Sequence, residues 1–142
     1  MPEPFRFGKA DQVRFHELDA LDHVNNAVYL SWFETFRITY LKDYGISDYA
    51  DSATRPVLVL RNVDVDYRAP LYLHETYIVA GRSVSYRRTS WTMEYAVFAR
   101  GMLCAHSHAV IVMMENDAKT KRALPQTMID TIRERDGATF DG

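Results

Sequence analysis

One segment limits the architecture more than any other. Residues 25–46 read NNAVYLSWFETFRITYLKDYGI, the one long helical stretch in the chain. Val28, Leu30, Trp32, Phe33, Phe36, Tyr40 and Leu41, with Tyr29 and Tyr44, make it apolar over most of its circumference. Ser31, Glu34, Thr35, Arg37 and Thr39 are the main interruptions. A helix apolar nearly all round has to be wrapped by other structure rather than laid on a surface. Asn25 or Asn26 is the expected N-cap and Gly45 the expected stop.

Beyond the helix the chain reads mainly as strand. Residues 46–56 form a polar connection ending at Pro56. VLVLRNVDVDYRAP then alternates Val57, Val59, Val63, Val65 and Tyr67 with a mixed face. HETYIVAGRSVSYRR, with Gly81 expected at a bulge or bend, is next. TSWTMEYAVFARG and MLCAHSHAVIVMMEN complete an apparent meander that turns at Arg100 and Gly101. Before the helix, residues 1–8 read as an extended lead-in, and DQVRFHE (11–17) as a short strand with Val13 and Phe15 on one side. After the last strand, QTMIDTIRERDG is expected to be a short helix and ATFDG a frayed end.

One apolar helix and about five antiparallel strands predict an α+β chain, residues 1–142 as one domain, with the sheet curled around the helix. Leu58, Leu60, Ile78 and Val110 suggest apolar residues on both faces of the sheet, which predicts a homo-oligomer. With 142 residues, 47% of them apolar, there is enough material for such a core. The net charge of −2 supplies no basic field for nucleic acid. No apolar run reaches a membrane span, and MPEPFRFGKAD lacks the apolar core of a secretory signal. A lone cysteine, Cys104, allows no intrachain disulfide and fits a reducing compartment, so a cytoplasmic location is expected.

The stretch FHELDALDHVNNAVYL gathers Glu17, Asp19, Asp22, His23, Asn25 and Asn26 just ahead of the helix. Capping and turn formation account for such residues in ordinary loops. The same set also suits chemistry. A helix start offers unpaired amides and the positive end of a dipole, which can polarise a carbonyl or hold an oxyanion. A nearby carboxylate can attack that carbonyl or activate water, and Asp19 is close enough along the chain to fold back over the helix start.

VRFHELDALDHVNNAVYLSWFETFR resembles the signature of hotdog-fold acyl-CoA thioesterases of the 4-hydroxybenzoyl-CoA thioesterase-like superfamily. VDVDYRAPLYLHETYIV and RRTSWTMEYAVF continue the likeness, which covers roughly residues 10–115. The resemblance implies a hotdog fold, hydrolysis of an acyl-CoA to a carboxylic acid and CoA, and no cofactor. It places the catalytic acid on Asp19 and the carbonyl-polarising amide at about Asn26. His23 and Asn25 then shape the loop or contact the acyl thioester. Asp22 departs from the pattern, which usually has Gly there, and Asn26 replaces a His found in another branch.

Other readings remain open. His23 and Asp19, four residues apart, also suit a hydratase or dehydratase of this fold, and the Asp22 departure suits an acyl-thioester binder without turnover. The resemblance also offers Glu34, a carboxylate on the helix such as some hotdog thioesterases use in place of the loop acid, but it is expected to be buried and paired with Arg37 or with an Arg from a partner. Arg87 and Arg88 could bind the phosphates of CoA, and Lys119, Lys121 and Arg122 form another basic group. Cys104, His106 and His108 alternate on one strand and so are expected to share a face, but core or interface packing is favoured over metal binding, and no metal is expected. Tyr29, Trp32, Tyr40, Trp91 and Tyr95 are expected in the core. The assembly expected is a homodimer or homotetramer acting on acyl-CoA.

Overall fold

The long helix, α1, spans Val28–Asp43, and its buried side chains are Tyr29, Trp32, Phe33, Phe36, Arg37, Tyr40 and Leu41. The alternating three- and one-residue spacing puts them on one face. A computed structural model describes residues 4–45 and 56–142, so the connection expected over 46–56 lies almost wholly outside the described residues. The strands are β1 Phe7–Gln12, β2 Val57–Tyr67, β3 Thr76–Tyr86, β4 Ser90–Ala99 and β5 Met102–Met114, in the sheet order β1-β3-β4-β5-β2. Helix α2, Gln126–Asp136, and a short strand β6, Thr139–Phe140, complete the chain. An antiparallel sheet packed around one long helix is the hotdog arrangement expected from the sequence.

The helix meets β3 at close range. Trp32 stacks on Tyr77 with centroids 4.0 Å apart. One turn on, Phe36 passes over Gly81, where an added Cβ would lie 2.4 Å from Phe36 Cε1. Gly81 therefore serves helix approach, not a bulge; the register shift in β3 falls between Ser83 and Ser85 instead. Phe33 stacks on Tyr95 of β4 at 4.8 Å. Each such aromatic side chain contributes about 2–3 kcal/mol by burial. All five aromatic residues expected in the core are buried.

Several expectations change. The helix is not wrapped all round within one chain, since Leu30 and Ile38 remain 39% and 43% exposed. Neither Asn25 nor Asn26 is the N-cap; Ala27 occupies that position, while Asn25 Oδ1 accepts the Ala27 N–H. Gly45, at φ 70°, does follow the helix C-cap. The first strand comes earlier than 11–17: Phe15–Glu17 is a 3₁₀ turn, with Val13 buried and Phe15 at 78% exposure. The meander is broken because β2 crosses to the far edge beside β5. A bulge between Leu60 and Asn62 also switches the faces of β2, so Leu58 and Leu60 lie opposite the core residues Met113 and Ile111. Of the four residues thought to mark two apolar faces, only Ile78 and Val110 lie on the outer side.

The chain end is ordered rather than frayed. Gly137, φ 71°, stops α2, and β6 pairs in parallel with Ser85 and Tyr86. Asp136 anchors this unit although it sits at the negative end of α2. It accepts the Tyr40 hydroxyl, the Tyr44 hydroxyl at 2.6 Å and the Ser83 N–H at 2.8 Å. Replacing Asp136 with Ala removes the acceptor of all three donors, leaving the Tyr40 hydroxyl with Ser83 Oγ alone, and is expected to cost about 3 kcal/mol in urea denaturation. Burial, with Asp136 beside two of them, pushes the hydroxyls of Tyr29, Tyr40, Tyr44 and Tyr77 well above the ordinary tyrosine range. The folded chain keeps these protons where an unfolded tyrosine, at 10.0, loses them. Stability should hold below about pH 10 and fall as pH rises further, with tyrosinate absorbance appearing together with unfolding.

Candidate active site

The polar stretch folds as a short hairpin that leads directly into α1. Leu18 and Val24 bridge, and the Asp19 N–H donates to His23 O at 2.9 Å. The Asp22 N–H donates to Asp19 O at 3.1 Å, closing a turn over Ala20 and Leu21. Asp22 then takes φ 65°, the left-handed position that ends a three-residue hairpin loop. Asp is among the few non-glycine residues that enter this region with some ease. The departure from Gly at position 22 is thus accommodated in the backbone the turn requires.

The three acids of the stretch have separate surroundings. Glu17 is buried; one carboxylate oxygen accepts the Arg14 N–H at 2.8 Å and the other accepts Trp32 Nε1–H at 2.7 Å. It ties the loop to the helix. Asp22 is exposed. Asp19 lies between these extremes, its side chain 29% exposed. Its Oδ1 accepts the Leu21 N–H at 2.8 Å, and its Oδ2 lies 3.4 Å from His23 Nδ1. The carboxylate is therefore aimed by the turn yet open to a small molecule.

Beyond the hairpin, the helix start is fastened from several sides. The Val24 N–H donates to Leu71 O, Asn25 N–H to Glu17 O and Val28 N–H to Asn25 O, each at 2.9 Å. The Tyr67 hydroxyl, at the end of β2, donates to Asn26 O at 2.7 Å, and its ring meets Tyr29 edge-on at 5.1 Å. Asn26 N–H has no acceptor among the described residues. Asp19 and His23 thus meet in the hairpin, and Asn25 and Asn26 follow at its junction with the helix, tied to Glu17 and Tyr67. Glu17 and Tyr67 complete the support; sequence reasoning missed both, although a buried Trp in reach of a loop acid was a usable signal for Glu17.

Other candidates fall elsewhere. Arg87 and Arg88 are exposed at the Tyr86 end of β3, whereas β3 begins, at Thr76, beside Gln12 and the hairpin. Eleven strand residues separate the two ends by roughly 35 Å. Arg87 instead lies 3.7 Å from Asp141. Lys121, bridged to Met114, and Arg122, paired with Glu115, lie at that same far end. Glu34 is exposed rather than buried, and Arg37 donates to the Tyr95 hydroxyl at 2.9 Å instead of pairing with it. Cys104 does not share a face with His106 and His108. The register shift between Val97 and Phe98 turns it into the core, while both histidines are part-exposed.

The thioesterase-like superfamily model matches residues 13–132. A thioesterase superfamily structure from a Jannaschia species is 38% identical, covers 96% of this chain and 87% of that one, and superposes with a TM-score of 0.90. A Thermus thermophilus thioesterase solved with coenzyme A and Zn is 35% identical, with 96% and 98% covered and a TM-score of 0.82. The acyl-CoA thioester hydrolase YbgC of Escherichia coli is 26% identical over 124 residues, 87% of this chain and 92% of that protein.

The turn geometry carries its own test. Asp22→Gly should be about 0.5 kcal/mol more stable, because the left-handed penalty outweighs the added freedom of the unfolded chain. Asp22→Val, which tolerates that region least, should lose at least about 1 kcal/mol; urea denaturation of both variants reads the difference.

Proposed function

Because the chain belongs to the thioesterase-like superfamily, we propose that it hydrolyses acyl-CoA thioesters to a carboxylic acid and CoA. The observation that carries this reading is the part-exposed Asp19 carboxylate, held by the Leu21 amide on the turn that leads into α1. Asp19 attacks the thioester carbonyl carbon, or removes a proton from the water that does. The Asn26 amide, at the positive end of the helix, receives the charge that develops on the carbonyl oxygen. The carbon–sulfur bond then breaks, and CoA leaves as the thiolate, which takes a proton from water or from the Asp19 carboxyl that received one. Water supplies the hydroxyl of the product acid, directly or by hydrolysing an acyl–Asp19 anhydride. His23 and Asn25 hold the loop and face the acyl thioester.

Arg87 and Arg88 would meet CoA at this loop only where two chains bring opposite ends of their sheets together. That requirement agrees with a homodimer or homotetramer. The exposed residues Leu30 and Ile38 on α1 and Val59, Leu60 and Tyr67 on β2 support the same assembly. The buried, unpaired thiol of Cys104 fits a cytoplasmic location. No helix among the described residues is long and apolar enough to cross a membrane.

Asp19→Asn and Asp19→Ala are expected to lose at least about two orders of magnitude in kcat, measured as thiol release from short-, long- and aromatic-chain acyl-CoAs. Near-native turnover by folded Asp19→Ala would overturn the assignment. A hydratase remains the second reading, favoured by the 3.4 Å approach of His23 to Asp19. It predicts loss of enoyl-thioester absorbance without thiol release. Light scattering at micromolar concentration should report an oligomer; a monomer alone would remove the shared CoA site.

A further inference from the structure

On the outer side of the sheet a polar row crosses four strands. Asp64 on β2, His108 on β5, Glu94 on β4 and Arg82 on β3 lie directly opposite one another in register. His106 is two residues from His108 and shares its face. We propose that Glu94, His106 and His108 form a zinc-binding site on this face, separate from the hairpin of Asp19.

The two imidazoles converge on one carboxylate oxygen. His106 Nε2 lies 2.6 Å and His108 Nε2 4.0 Å from Glu94 Oε2. The three ligand atoms fall within 4.8 Å of one another. Zinc bonds of about 2.0–2.2 Å need ligand atoms about 3.5 Å apart, which small side-chain rotations provide. An ion pair with His106 explains one short contact, but not why His108 turns its Nε2 to the same oxygen.

Further groups orient these ligands. Arg82 Nε donates to Glu94 Oε1 at 2.7 Å and leaves Oε2 for the histidines. Asp64 Oδ1 accepts the His108 backbone N–H at 3.3 Å and so steadies β5 behind that imidazole. Side-chain exposures of 14% for Glu94, 26% for His106 and 45% for His108 leave room for an ion to enter and for water to complete its coordination.

Two imidazoles with one carboxylate favour zinc over calcium or magnesium, which take oxygen ligands. The site differs from the sequence expectation in both membership and outcome. That expectation grouped Cys104 with the histidines and assigned no metal, whereas the bulge removes Cys104 and the register supplies Glu94. A bound ion would fasten β4 to β5.

The full chain, stripped with a chelator and titrated with zinc chloride in a calorimeter, should bind one ion per chain. The unfolding midpoint should rise on the order of 5 °C when free zinc is far above Kd. Cobalt should give the visible bands of a low-coordinate nitrogen and oxygen site. Glu94→Gln and His108→Gln should each weaken zinc binding at least tenfold, and His106→Ala with His108→Ala should abolish it. Cys104→Ser should leave it unchanged. Absence of saturable binding, or equal binding by folded His108→Gln and the native chain, would overturn the proposal. Thiol release is scored separately, so the zinc result and the hydrolase result fail independently.

Discussion

The contact between α1 and β3 is the constraint on which the rest depends. Trp32 on Tyr77, Phe36 over Gly81 and the Tyr40 hydroxyl on Ser83 Oγ place successive turns of the helix along one strand. The contact needs a strand position without a side chain, and Gly81 provides it. Once the helix lies there, its first turn must start at the end of the sheet where Tyr67 and Leu71 pass. The hairpin of Asp19 is therefore delivered to a fixed place by packing that lies up to several turns away. The same contact orients α2, because Asp136 reads the hydroxyl of Tyr40 and the amide of Ser83 together.

The loop ahead of the helix combines tasks that residue type alone does not separate. Three carboxylates lie within six residues, yet one is buried under Trp32, one is aimed by a turn and one occupies the left-handed corner. Their differences come from hydrogen-bond partners, not from composition. A carboxylate satisfied at both oxygens by the chain has little capacity left for a substrate. Glu17 is such a group, whereas Asp19 keeps Oδ2 toward His23 and solvent. That contrast makes Asp19 the better candidate for chemistry.

The outer face of the sheet illustrates how register makes associations that periodicity cannot. Alternation along β5 put Cys104, His106 and His108 on one side, but a single irregularity between Val97 and Phe98 breaks the set. Pairing across strands then joins the histidines to Glu94 on the neighbouring strand. The bulge at Leu60 and Asn62 acts similarly on β2, reversing which of its valines face the core. Both irregularities defeat a period of two without leaving any clear mark in residue type.

By itself the sequence determined the long helix followed by four strands and a short helix, the stop at Gly45, the aromatic core and the loop that holds Asp19, His23, Asn25 and Asn26. These features arise from local periodicity, turn chemistry and a recognisable motif, all of which act over short stretches of chain. Only the tertiary structure decided that Glu17 is a support, that Asp22 fits its corner and that Gly81 receives Phe36. It also decided that Arg87 and Arg88 stand at the far end of β3, and that Glu94 meets two histidines. Each of these depends on which strand lies beside which and in what register. Strand order and register are set by the burial of a whole helix and sheet at once, and no short segment carries that information.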